Sequence, residues 1–281
     1  MVELGTTTLE IKSGYGLTVE DELRLLRVIQ RLKRQNSCRI VATFLGAHSI
    51  PTGMIPEEYT KLVIEKMIPA VSREKLAVFC DVFCEDGVFD PESSKRILTA
   101  GLKHGLSPKI HADQFTDDQG ARVANDVRAV SADHLVHSRL DDLERMAATS
   151  VIPVVLPASS QSVLSTAYAP ARAMLSKGLP VALGTDFSPS NWILGQLTVA
   201  AVAARGLRMK AAEIIRGITI NASRALGLQH TVGSLANGKC GDIVILKAAS
   251  YKWAGYTHGE GIVDKVLIEG KEVVSEGKRV L

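Results

Sequence analysis

Four polar side chains stand where apolar runs stop: His48 after "TFLGA", His111 after "PKI", His134 in "SADHL" and Asp186 in "VALGTD". Imidazoles and a carboxylate that converge on one point suit a divalent metal ion, because neutral nitrogen and anionic oxygen are the donors such ions take. Each residue taken alone has a plainer reading. A histidine at a strand end can be a hydrogen-bonded structural residue, and an aspartate before Phe-Ser-Pro can cap a turn. Four at the ends of separate runs point to an active site.

The elements that must position them recur along the chain. Seven β-rich runs, "LEIK", "RIVATFLG", "AVFCDVFCE", "PKIHAD", "AVSADHL", "VIPVVLP" and "PVALGTDF", are separated by turn residues and helical stretches. Strands alternating with helices make a parallel sheet, since parallel neighbours need a long crossover. The class is α/β. The spacing suits a (β/α)8 barrel as well as an open doubly wound sheet, and in a barrel the polar strand ends line the mouth. Helices are expected over 18–35, with Thr18 as cap and Asp21 in the reciprocal position, and over 91–102, 141–148, 192–206 and 210–226. Beyond these, "GDIVIL", "VDKVLIEG" and "KEVV" read as a small antiparallel β module. The expected division is a barrel over 1–230 and part of a small β-sandwich over 231–281.

Other residues offer less. His104, His137 and His230 read as solvent-exposed, and His258 falls in the carboxy-terminal module. Glu85 is a candidate acid, or a turn or salt-bridge residue. Tyr15, between two glycines in "SGYGL", can donate a hydrogen bond to a ligand or pack on the rim. The stretch lacks a phosphate-loop pattern.

Composition excludes several classes. In 281 residues, 46% hydrophobic and 22% charged, a single large core or two smaller ones can form, and disorder is not expected. The net charge of +3 is dispersed, so no nucleic-acid partner is expected. The four cysteines form no C-x-x-C pair, which fits reduced thiols in the cytoplasm. There is no run of about 18 apolar residues, and no charged-then-apolar leader precedes the first strand, so neither a membrane span nor a signal peptide is expected.

Taken in order, "EIKSGYGL", "TFLGAH", "DVFCE", "KIHADQ", "SADHL", "VALGTDFSP", "TINASRALGL" and "GSLANGKCGDIVIL" resemble the imidazolonepropionases, metal-dependent members of the amidohydrolase superfamily. The resemblance runs over essentially the whole chain. It implies a (β/α)8 TIM-type barrel with a small β-sandwich, and hydrolysis of the ring amide of 4-imidazolone-5-propanoate to N-formimidoyl-L-glutamate in histidine degradation. It further implies His111 and Asp186 as ligands of one zinc or iron ion, Asp186 and His134 as catalytic groups, and Tyr15, His48 and Gln114 as substrate contacts. The family's loop after the aspartate reads Asn-Pro-Gly-Ser. Here it is Ser188-Pro189-Ser190-Asn191, so Ser188, Ser190 and Asn191 are the candidate contacts there.

The resemblance also implies a preceding strand ending in a His-x-His pair of metal ligands, and no His-x-His occurs in these 281 residues. The expectation is therefore that the first barrel strand is absent, and that this chain alone binds metal weakly. The alternatives are an incomplete barrel that binds a ligand or partner, pairing its open edges as a homo-oligomer, and another cyclic amidohydrolase or deaminase of the superfamily.

Overall fold

The computed structural model describes residues 1–258 and 261–280; two residues of the "YTHGEG" motif and Leu281, at the end of the expected β module, lie outside the described residues. The chain divides into two compact units, one of Leu9–Val151 and one of Met1–Thr8 with Ile152–Leu281.

In the unit Leu9–Val151 the strands are β1 (Thr8–Lys12, entering at Leu9), β2 (Arg39–Ala47), β3 (Phe79–Cys84), β4 (Ser107–Ala112) and β5 (Ser131–His134). They lie in chain order. β2–β3, β3–β4 and β4–β5 pair in parallel, with His111 opposite Asp133 and Phe83 opposite His111. Each crossover is helical, and the first shows why. The helix α1 (Val19–Gln35) starts at Thr18, whose hydroxyl accepts the Asp21 N–H at 3.1 Å. Acidic Glu20, Asp21 and Glu22 fill its first turn and Lys33 and Arg34 its last, in the sense the helix dipole favours. Leu23, Leu26 and Ile29, three residues apart, are its buried apolar face. In the helix Pro91–Lys103, Asp90 caps the Ser93 N–H at 2.7 Å and Pro91 takes the first turn, where no N–H is needed.

The other unit holds β6 (Ile152–Val155) and β7 (Ala182–Leu183), paired in parallel, and an antiparallel sheet of β8 (Ile243–Leu246), β9 (Val263–Ile268), β10 (Lys271–Ser275) and β11 (Lys278–Arg279) in the order β11-β10-β9-β8. Two tight turns build that sheet. Glu269-Gly270 and Glu276-Gly277 each join adjacent strands with positive φ at both positions, the twist that suits a two-residue hairpin.

All seven expected β-rich runs are strands, so the α/β reading stands. Two helices differ from expectation. The helix expected from Trp192 begins at Gln196, because Gly195 holds the extended backbone of an N-cap. The stretch expected as one helix over 210–226 contains a π-helical turn, Gly217–Asn221, in which Asn221 Nδ2 donates to the Val181 carbonyl at 2.9 Å. That interaction ties the wide turn to the start of β7 and explains the break in regular α-helix.

Candidate active site

The unit Leu9–Val151 carries a layer of charged side chains where a parallel barrel normally packs branched apolar ones. Lys12 of β1 donates to Asp81 Oδ2 of β3 at 2.6 Å and to Asp133 Oδ2 of β5 at 2.7 Å. Lys109 of β4 donates to Glu10 Oε2 of β1 at 2.7 Å, and Thr43 of β2 donates to Glu10 Oε1 at 2.5 Å. Ser131 completes the set by donating to Asp133 Oδ1 at 2.9 Å. Asp81, Lys109 and Asp133 are all buried. Buried charges persist only when paired and hydrogen-bonded, and this arrangement gives each carboxylate a cation.

His111 stands at the upper edge of this layer. Its Nδ1 lies 3.0 Å from Asp81 Oδ1, so the two oxygens of Asp81 divide between an ammonium and an imidazole. Burial alone would raise the Asp81 pKa, but His111 and Lys12 outweigh it and hold the carboxyl well below its usual range. An ionised carboxylate can only accept, so Nδ1 carries the proton that faces Asp81, and in the neutral ring the lone pair is then on Nε2. Burial likewise lowers the Lys12 ammonium pKa, and Asp133, Asp81 and Glu10 together bring it well above the ordinary value.

Asp81, His111 and Asp133 offer ligand atoms within 4.8 Å of one another, the spacing of a metal cluster. Lys12 Nζ already bridges the two carboxylates at hydrogen-bond distance. The protein's own cation therefore fills that position, and the atom this set leaves for a metal is His111 Nε2. As one nitrogen donor of a fixed tautomer, buried among carboxylates, it fits a metal ion.

Around His111 the structure gathers the aromatic residues that the sequence singled out. His134, the last residue of β5, has its ring 5.4 Å from that of His111. His48, just beyond β2, lies 6.3 Å from His111 edge-on and 5.7 Å from Phe83 in a stack. Tyr15 lies 4.9 Å from His48. Tyr15 is 58% exposed while His111 is 7% exposed, so the four rings lead from the surface to the charged layer. The Tyr15 turn is fixed from below by Glu22 of α1, whose Oε1 accepts the Gly14 N–H at 3.2 Å and the Gly16 N–H at 2.6 Å. A Cβ on Gly16 would sit 2.5 Å from the Glu22 backbone nitrogen, so the close approach requires glycine.

Gln114 follows β4 in a loop held by Glu85, which resolves Glu85 as a turn residue. Its carboxylate accepts the N–H groups of Gln114, Phe115 and Thr116. The backbone is left-handed at Asp113 (φ 52°), His134 (φ 74°) and Leu135 (φ 59°), conformations that non-glycine residues adopt at a cost of about 1–3 kcal/mol when surroundings enforce them. Asp113 contributes by accepting the Gly120 and Ala121 N–H groups at 2.7 and 3.1 Å.

The other unit carries the remaining candidates. Asp186 follows β7 with φ 52° and is half-buried. Ser188 and Asn191 pair through their backbones at 3.0 Å in both directions. The Asn191 side chain is buried, donating to the Thr185 and Asp186 carbonyls at 2.8 and 3.0 Å and accepting from Ser162, so its groups are spent on holding the loop. Ser188 and Ser190 face each other at 3.2 Å. His104, His137 and His230 are exposed as expected, and so is His258.

The amidohydrolase family profile matches residues 99–273, more than half the chain. The chain belongs to the amidohydrolase family. Among curated relatives, an imidazolonepropionase of Geobacillus thermodenitrificans is 45% identical over 98% of this chain and 65% of its own length, and one of Alkaliphilus oremlandii is 41% identical over 99% and 66%. The chain thus spans just under two thirds of these relatives. Among solved structures, a zinc-bound adenosine deaminase from Xanthomonas campestris superposes with TM-score 0.76 at 18% identity, covering 99% of this chain and 68% of that one. Guanine deaminase of E. coli gives 0.74 at 15% identity, covering 98% and 72%. At those identities the likeness shows the fold alone, and it is the TIM-like α/β fold of amidohydrolases.

The charged residues Glu10, Lys12, Asp81, Lys109 and Asp133 were not legible as a site from strand ends. A signal was present nonetheless. Glu10 and Lys12, Lys109 and His111, and Ser131 and Asp133 are each two apart within a strand, hence on one face.

Proposed function

We propose that the chain carries the catalytic barrel of a metal-dependent imidazolonepropionase, opening the ring amide of 4-imidazolone-5-propanoate to N-formimidoyl-L-glutamate. The observation that carries this reading is the buried His111, with its tautomer set by Asp81 and with His134, His48 and Tyr15 around it, in a chain 41–45% identical to imidazolonepropionases.

In this reading His111 and Asp186 would hold one zinc or iron ion, which would supply Lewis acidity and bring the pKa of a water toward about 7. Asp186 takes the proton of the attacking water and delivers it to the departing ring nitrogen. His134 donates a hydrogen bond to the oxygen of the scissile carbonyl as charge develops there. Tyr15, His48 and Gln114 orient the substrate, Tyr15 from the exposed end and His48 between it and His111. Ser188 and Ser190 contact the substrate from their loop, and Asn191 contributes by fixing that loop's shape. Residues 1–230 form the barrel portion and 231–281 the small β module, a division supported by the antiparallel sheet lying wholly within Ile243–Arg279.

We read the protein as cytoplasmic. The four cysteines form no disulfide among the described residues, and no described helix is long and apolar enough to cross a membrane.

The test is turnover of 4-imidazolone-5-propanoate, followed by loss of ring absorbance, for the chain alone and complemented with the amino-terminal third of an imidazolonepropionase relative. Ring opening in the complemented protein supports the reading. Turnover of a different cyclic amide or amidine, with none of the imidazolone, overturns it.

A further inference from the structure

We propose that Lys12 is a positioning residue for His111: its ammonium fixes the Asp81 carboxylate so that the proton of His111 stays on Nδ1 and Nε2 stays an electron-pair donor. The significance of that donor rests on the reading of His111 as a metal ligand. The positioning itself rests on geometry within one unit of the fold.

Asp81 has two oxygens, and each has one partner. Oδ2 receives Lys12 Nζ at 2.6 Å and Oδ1 receives His111 Nδ1 at 3.0 Å. With both ends engaged, the carboxylate cannot rotate about its terminal bond without breaking a contact to a cation or an imidazole. Lys12 is held in turn by a second carboxylate, since Asp133 Oδ2 lies 2.7 Å from Nζ and Asp133 Oδ1 accepts from Ser131. Asp133 stands opposite His111 in the β4–β5 register and directly precedes His134. One ammonium on β1 therefore sets a carboxylate beside His111 and the residue next to His134.

In a simpler account Lys12 merely neutralises buried acids. Neutralisation alone would not require the His111 proton to sit on a chosen nitrogen, whereas a fixed Asp81 Oδ1 does. The two ideas separate in the tautomer, because partners of a ligating histidine act by fixing its proton and orientation, and their loss lowers metal affinity about 10–100-fold.

The experiment measures the side-chain nitrogen shifts of His111 by long-range nitrogen–proton NMR in the metal-free 281-residue chain at pH 9, with the signal assigned by its loss in His111→Asn. In the wild-type chain Nδ1 carries the proton. In Lys12→Met the ratio of Nδ1–H to Nε2–H forms falls by about tenfold or more, zinc added alone binds about 10–100-fold more weakly, and Lys12→Arg restores both. If Lys12→Met does not fold, the charge-compensated Lys12→Met/Asp133→Asn is read in the same way. A wild-type tautomer ratio in a folded variant lacking Lys12 overturns the proposal, whatever happens to zinc. A tautomer shift in a protein whose wild-type form does not take zinc at His111 keeps Lys12 as the positioning residue and overturns the metal-ligand reading instead.

Discussion

Glu85 Oε2 accepts the backbone N–H of Gln114 at 2.8 Å, across 29 residues of chain. The same carboxylate takes the Phe115 N–H at 3.0 Å and, through Oε1, the Thr116 N–H at 2.8 Å and the Thr116 hydroxyl. One buried side chain at the end of β3 thus sets the loop that leaves β4 just beyond His111. Hydrogen bonds to a charged acceptor contribute about 1.5–3 kcal/mol each, and they share one desolvation cost. Glu85→Ala should destabilise the fold by about 3 kcal/mol and speed amide exchange at 114–116. An unchanged urea midpoint would show that the loop holds itself.

The neighbouring Asp118 responds to pH in the opposite sense to most surface acids. Burial, followed by repulsion from Glu85, Asp86, Asp113 and Asp90, pushes its carboxyl up to about 6 from 3.8. Between those values the folded chain holds a proton that the unfolded chain has released, so stability falls as pH rises through the window. The residue is partly exposed, and solvent screening reduces the effect to about 1 kcal/mol. Asp118→Asn should therefore raise the melting temperature at pH 8 and leave it unchanged at pH 4. A gain equal at both pH values would locate its origin elsewhere.

The two central imidazoles are expected to separate in function. In the chain complemented with the amino-terminal third of a relative, His111→Asn should abolish zinc binding, as read by elemental analysis after dialysis. His134→Asn keeps a residue that tolerates the left-handed backbone there, so it should keep zinc while lowering kcat about 100-fold or more. Equal loss of metal in both would mean that His134 is a ligand.

Thiol chemistry gives a further check. Burial raises the Cys84 thiol to about 12 and shifts Cys80 upward as well, and Cys38 is also buried. Thiolate is the reactive form. Alkylation of the native protein at pH 8 should modify Cys240 alone, as judged by peptide mass spectrometry, and rapid labelling of Cys80 or Cys84 would contradict the packing of β3.

Much of this arrangement was readable in one sequence. Thr18 as a cap, the apolar spacing on α1 and the seven β-rich runs are local features, and the structure follows them. His48, His111 and His134 could be singled out because they end apolar runs, and their rings do meet. The charged layer was harder. The period of two places Glu10 with Lys12 and Lys109 with His111, but which carboxylate faces which cation depends on the register of strands far apart in sequence. That register is fixed by packing of the whole sheet. Asn191 illustrates the same limit: its type suits a substrate contact, yet its amide is used on the Thr185 and Asp186 carbonyls.

The Lys12–Asp133 contact spans 121 residues of chain, nearly the whole unit in which it lies. Closing so long a stretch of chain costs entropy that the local contacts of the helices do not carry. Until β1 docks, Asp81 and Asp133 lack their shared ammonium and remain costly to desolvate. A chain with β2 to β5 paired and β1 undocked would keep both carboxylates without that ammonium, so docking of the first strand and burial of the charged layer are coupled energetically.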